Sequence, residues 1–168
     1  MDKLLIVIAA DFSVIVVALV SLWVLLVKIP DATRYAAYTR ILLAGLTSYF
    51  AAKVAGLLYQ PETMRPFEKL GVDPGAAYLN NPGFPSDHAL FAAFLVLTIC
   101  CVARRRRLAI VLAVLTVIMC TARVIALVHT PLDVIGGVLL AIVGGVWYIG
   151  LPKSLANHTG AKRKKSVQ

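Results

Sequence analysis

Apolar residues along this chain fall into five long runs separated by polar breaks. The runs cover residues 4–27, 37–59, 86–103, 108–128 and 131–151. A bilayer core takes about 20 apolar residues per helix, with roughly 17–25 tolerated. The pattern therefore predicts an all-α, polytopic transmembrane helical bundle of about five spans. The first run has too long an apolar core for a signal peptide, and no small-residue cleavage site follows it, so it reads as a retained anchor. The breaks carry their own signals. Pro30 and Asp31 interrupt residues 28–34, residues 60–85 are rich in Pro, Gly and Asn, and four arginines (Arg104, Arg105, Arg106 and Arg107) end the third run. No internal repeat is present.

Composition agrees with this pattern. Of the 168 residues, 60% are hydrophobic, against roughly 45–50% in soluble domains. One membrane domain over residues 1–151 and a basic tail over 152–168 follow. The net charge of +9 does not point to nucleic acid. The basic residues sit beside apolar runs, and no aromatic–basic interleaving offers a surface on which bases could stack. Cys100, Cys101 and Cys120 all lie within apolar runs and read as small core residues rather than a disulfide framework.

The charges also orient the bundle. Lys and Arg accumulate on the cytoplasmic side of short loops. Lys28, Arg34, Arg40, the four arginines from Arg104, Lys153 and the tail all fall on one side of a five-span arrangement. Glu62, Glu68, Asp73, Asp87 and Asp133 fall on the other. The expectation is a multi-pass plasma-membrane protein with its N-terminus outside and its C-terminus inside. The basic clusters act as topology signals among anionic headgroups.

The 60–85 segment is long for a connection. Met64, Phe67 and Leu70 recur at helical spacing before Gly71, which predicts a short helix ending there. It is either one wall for a lipid substrate at the outer interface or an ordinary amphipathic segment packed on the bundle.

Four polar groups fall on the outer side. Thr130-Pro131 is a helix start, with a capping residue followed by a proline whose missing N–H costs nothing there. Asp133 then lies one turn beyond His129, where its carboxylate can hold one ring nitrogen and leave the other free as nucleophile or base. Arg123 adds a planar cation suited to phosphate oxygens. Ser86, in Pro85-Ser86-Asp87-His88, is placed to cap the third span, whose first N–H groups and dipole suit a phosphate. His88, just inside, can protonate a leaving oxygen. Arg65-Pro66 brings a second guanidinium. Lys53, deep in the second run, needs a counter-charge because a lone intramembrane ammonium is expensive. Asp11, at similar depth in the first run, is its expected partner, with Lys53 still near enough to feel a phosphate. His88, His129 and Asp133 are zinc-type ligands, but two arginines beside them would repel a cation, so no metal is expected.

Pro85-Ser86-Asp87-His88 followed by Arg123-x5-His129-x3-Asp133, and preceded by Lys53 and Arg65-Pro66, resembles the three-part signature of the type 2 phosphatidic acid phosphatase superfamily. These are integral-membrane lipid phosphate phosphatases related to vanadium haloperoxidases. Asp87, where Gly is common, is similar to the bacterial undecaprenyl pyrophosphate phosphatase branch. The resemblance covers roughly residues 53–133. It implies catalysis by His129 as nucleophile through a phosphohistidine, Asp133 as its orienting partner and His88 as acid, then base. It implies phosphate binding by Arg65, Arg123, Ser86, Asp87 and Lys53, with no cofactor. The implied substrate is a polyprenyl pyrophosphate at the outer leaflet, with phosphatidylglycerophosphate or phosphatidate as alternatives served by the same residues. A non-enzymatic transporter or assembly protein is the reading from another class.

Three positions depart from the pattern. Ala122 stands where the family usually has Ser, which removes one hydroxyl donor. Lys53 precedes Arg65 by more than the usual interval. Five spans replace the common six.

Overall fold

The computed structural model describes residues 3–61 and 63–150, so the basic tail, Lys153 and His158 lie outside the described residues. Those residues form helices and connecting segments only. Helix α1 runs Lys3–Lys28 and α2 runs Asp31–Leu58. A short α3, Pro66–Leu70, follows, then α4 (Asp87–Cys101), α5 (Arg106–Ile125) and α6 (Pro131–Val143), which tightens into a 3₁₀ turn over Gly144–Tyr148.

The helix ends follow from local chemistry. Ile29 precedes a proline and is extended (ψ 122°), which stops α1. Helix α2 starts at once, with Thr33 bonded back to the Pro30 carbonyl and Arg34 paired to Asp31 at 2.7 Å. The expected 28–34 link therefore shrinks to Ile29 and Pro30, and Arg34 lies on the helix. Arg65 N–H donates to Glu68 Oε2 at 2.6 Å to start α3, and Gly71 ends it with φ 63°, a conformation glycine adopts freely. At α6, Thr130 and Asp133 cap one another reciprocally. Thr130 N–H donates to Asp133 Oδ2 (2.8 Å), and Asp133 N–H donates to Thr130 Oγ1 (3.2 Å).

Four helices are long and apolar enough to cross a membrane: α1, α2, α5 and α6 with its 3₁₀ turn. Helix α4, expected as a span over 86–103, has only 15 residues and rises about 22 Å, short of a bilayer core of about 30 Å. Its position allows this. Helix α4 packs against α1, α2, α5 and α6, and non-helical backbone at membrane depth is tolerated where protein surrounds it.

The core lies along α4, where Ala89, Ala92 and Ile99 meet Val17, Ala44, Leu112 and Met119. Small residues allow close helix contact in a bundle of this kind. Ala37, Ala44, Ser48 and Ala52 form the buried stripe of α2, and Ser48 Oγ both donates to Ala141 O (3.1 Å) and accepts from Gly144 N (3.2 Å). The outer faces carry the large apolar side chains, with Leu57 85% and Val117 65% exposed. A soluble fold would bury these, whereas lipid solvates them. This is a multi-pass membrane protein.

One end of the bundle gathers Lys28, Arg34 and the Arg104–Arg107 run. At the other end are the finish of α2, the start of α1, the segment 59–86, and the α5–α6 turn.

Candidate active site

The second end of the bundle carries the polar residues. The α5–α6 turn is tight, with Leu127 at φ 61°, a left-handed conformation that a bulky residue rarely adopts. The neighbouring segment braces it. Leu127 O accepts from Phe67 N (3.1 Å) and Ala126 O accepts from Gly75 N (3.0 Å), while within the turn Val128 N–H donates to Arg123 O (3.3 Å). Helix α3 is thus packed onto the bundle, with Phe67 buried among Ala10, Ala122 and Val128. This turn places Arg123, His129 and Asp133 side by side.

The start of α4 is locked to the start of α6. Ser86 N–H donates to the Asp133 carbonyl at 2.9 Å. Gly136 and Gly137 permit the approach. A Cβ at Gly137 would lie 2.5 Å from the Ser86 carbonyl, and one at Gly136 would overlap the Phe84 ring. As a result His88 and His129 line the same small cavity, of about 20 Å³, with Arg65, Arg123, Asn81 and Asp87. Such a space is on the scale of one water. Asp11, which contacts Arg123 of this cavity, lies eight residues beyond Lys3, about 12 Å along α1.

His129 is buried, with Nδ1 3.5 Å from Asp133 Oδ2. That is a long contact of the kind that tightens when substrate binds. Burial holds the imidazole below its ordinary value of 6.5. Asp133 opposes that shift, while the Arg123 and Arg65 cations add to it. The ring is therefore neutral near pH 7, as a nucleophile requires.

The two arginines are held by carbonyls of the segment before α4 and by groups of the bundle. Arg65 donates to Val128 O, to Leu79 O (3.1 Å), and to Asn81 through its backbone O (3.2 Å) and Oδ1 (2.9 Å). Arg123 is 1% exposed and donates to Asp11 Oδ1 (3.0 Å) and Ala77 O (2.9 Å). Lys53 Nζ lies 3.4 Å from Asp87 Oδ1 and 5.0 Å from the Tyr49 ring.

The expected Lys53–Asp11 pair is therefore absent: Asp11 pairs with Arg123, and Lys53 with Asp87. Helix α1 packs on α4 and α5, whereas α2 packs on α6 and α4, so helices adjacent in sequence present their charges to different neighbours. Asp87 correspondingly turns its carboxylate to Lys53, which leaves its backbone N–H as the group suited to an anion. Asn81, which lines this cavity, is a residue that sequence reasoning missed, and Asp11 is one it gave to the wrong partner. The signal for Asp11 was its acid in an apolar span, but the span does not reveal which neighbour it faces. Asn81 carries no signal beyond a turn-forming segment.

Among the described residues, six buried side-chain N or O atoms lack a hydrogen-bond partner. Two of them, Arg123 Nε and His129 Nδ1, belong to residues that line this cavity, and a third, Ser86 Oγ, belongs to the residue between its lining residues Pro85 and Asp87. Ser86 is 0% exposed and its hydroxyl does not cap α4. Buried polar groups are nearly always partnered; of these three, His129 Nδ1 faces Asp133 Oδ2, which leaves Arg123 Nε and Ser86 Oγ without a counterpart beside the cavity.

Residues 32–155 match the family model described as the PAP2 superfamily. No curated protein and no solved structure shows a significant match to the chain.

Proposed function

The chain belongs to the PAP2 superfamily, and on that premise we propose that it hydrolyses a polyprenyl (undecaprenyl-type) pyrophosphate to the monophosphate at the outer face of the plasma membrane. The unpartnered Arg123 Nε at the cavity and Ser86 Oγ beside it carry this reading. Arg123 Nε, the Ser86 hydroxyl and the Asp87 backbone N–H bind the phosphoryl oxygens, with Arg65 and Lys53 supplying further positive charge. In phosphoryl transfer the protein acts mainly by positioning and charge stabilisation.

The first step forms a bond between His129 Nε2 and phosphorus and breaks the bond to the lipid-side oxygen. His88 gives that oxygen a proton. Asp133, beside Nδ1, orients the ring and stabilises the positive charge that develops on it. In the second step His88 takes a proton from water. The resulting hydroxide attacks phosphorus, the P–N bond breaks, and inorganic phosphate leaves. Because guanidinium groups neutralise the phosphate, turnover persists in the presence of a chelator.

The distribution of charge supports the outward orientation. Lys28, Arg34, Arg40 and the Arg104–Arg107 run gather at the opposite end of the bundle, outnumbering Lys3 and Lys69 at the cavity end, as expected of a cytoplasmic end. Phosphatidylglycerophosphate and phosphatidate present the same phosphoryl oxygens and are the competing substrates. The deciding experiment measures inorganic phosphate released from each of the three lipids by the detergent-solubilised protein and by His129→Ala. Release that is greatest with the pyrophosphate and abolished by the substitution is expected. Equal release from the variant, or none from any lipid, overturns the proposal.

A further inference from the structure

Helix α1 lies outside the residues matched by the family model, which begin at 32, yet it reaches into the site. Over Ile8–Phe12 it forms one turn of π-helix, a local widening that recurs at functional sites in helices. Asp11 sits in that turn. Its Oδ1 accepts from Arg123 Nη1 at 3.0 Å and its Oδ2 accepts from Ala77 N at 3.0 Å. Arg123 Nη2 in turn donates to Ala77 O at 2.9 Å. The three bonds close a ring that ties both terminal nitrogens of the guanidinium and leaves Nε as its nitrogen without a partner.

We infer that Asp11 is a positioning residue for the phosphate site: it fixes the plane of the Arg123 guanidinium and, through Ala77, clamps the segment before α4 to that same group. Two observations make this more than an ion pair. Arg123 is 1% exposed and shares its cavity with a second cation, Arg65, so without an anion it would be both desolvated and repelled. A planar fork also binds phosphate well only when its orientation is set. Asp11 supplies charge and orientation together while leaving one edge of the fork for the ligand. It acts through Arg123 and touches no reacting atom.

The inference rests on the phosphatase reading only in taking the ligand to be a phosphoryl group, and its test does not require turnover. Vanadate binding to the full chain in detergent is measured by calorimetry for the wild type, Asp11→Asn, Arg123→Ala and the double variant. Asp11→Asn is expected to weaken vanadate about 10- to 100-fold, the usual cost of losing an orienting partner. It should have no further effect once Arg123 is gone. KM for the lipid should rise in parallel, with a smaller change in kcat. Unchanged or tighter vanadate binding in a folded Asp11→Asn variant, or losses that add in the double variant, overturns the inference. If Asp11→Asn does not fold, Asp11→Glu keeps the charge and shifts the carboxylate by one methylene. Weakened vanadate binding in that variant supports positioning, and wild-type binding refutes it. A wild type that binds vanadate but hydrolyses no lipid sinks the phosphatase reading and leaves this one standing. A wild type that does not bind vanadate sinks both.

Discussion

Replacing Ser86 with alanine should separate stability from activity in opposite directions. A serine at a helix start ordinarily contributes about 1 kcal/mol by accepting a backbone N–H of the first turn. Ser86 makes no such bond, is 0% exposed, and leaves its hydroxyl unpartnered. A buried polar group in that condition costs about 1–3 kcal/mol. The substitution removes only the oxygen. The Ser86 N–H bond to the Asp133 carbonyl at 2.9 Å, which holds α4 against α6, is untouched. Stability should therefore rise by about 1 kcal/mol, which for a chain of this size moves the melting temperature by roughly 2–4 °C. Catalysis should fall, because a hydrogen bond to a charged phosphoryl oxygen contributes about 1.5–3 kcal/mol, or roughly 10- to 150-fold in rate. With Ala122 unable to donate, no neighbouring hydroxyl compensates. Melting of the purified protein in detergent and initial rates of phosphate release read the two effects. A variant that melts lower and works normally would show that the hydroxyl serves the fold, and the argument from unspent donors would fail.

Other expectations follow from the same geometry. The acid limb of kcat/KM should lie below pH 6.5, because burial and the two arginines keep His129 neutral down to its lowered value; Arg65→Gln should move that limb upward, and a limb at or above 6.5 in the wild type contradicts the account. The same depression means the unfolded chain binds more protons between the folded value and 6.5, so this histidine's contribution to stability is complete above 6.5 and erodes as pH falls below it, which melting across pH checks. Gly137→Ala should destabilise by about 1–3 kcal/mol and lower activity, because its Cβ would stand 2.5 Å from the Ser86 carbonyl and 3.0 Å from Leu90 N; unchanged melting would mean the contact between α4 and α6 has slack. Lys53→Met should change stability by less than about 1 kcal/mol, since the pair with Asp87 is partly exposed, while raising KM severalfold; an unaltered KM would remove Lys53 from the phosphate field.

The linear pattern determined the helices and the local part of the site. Runs of apolar residues set the helical segments, and proline, glycine and the Thr130-Pro131 start set where they break. The Thr130-Pro131 start puts Asp133 in the first turn of α6, where its carboxylate reaches back over the residues just before the helix, His129 among them. Spacing of this kind survives any tertiary arrangement. Contacts between distant segments do not, since they depend on which helices become neighbours and how each is rotated. Only the assembled bundle gave Asp11 to Arg123 rather than to Lys53, and left Lys53 to Asp87. Only it set Arg65 among the carbonyls of Val128, Leu79 and Asn81. It also shortened α4, because a helix enclosed by four others need not span the lipid, and it brought Ser86 onto Asp133 across a pair of glycines whose purpose no local rule reveals.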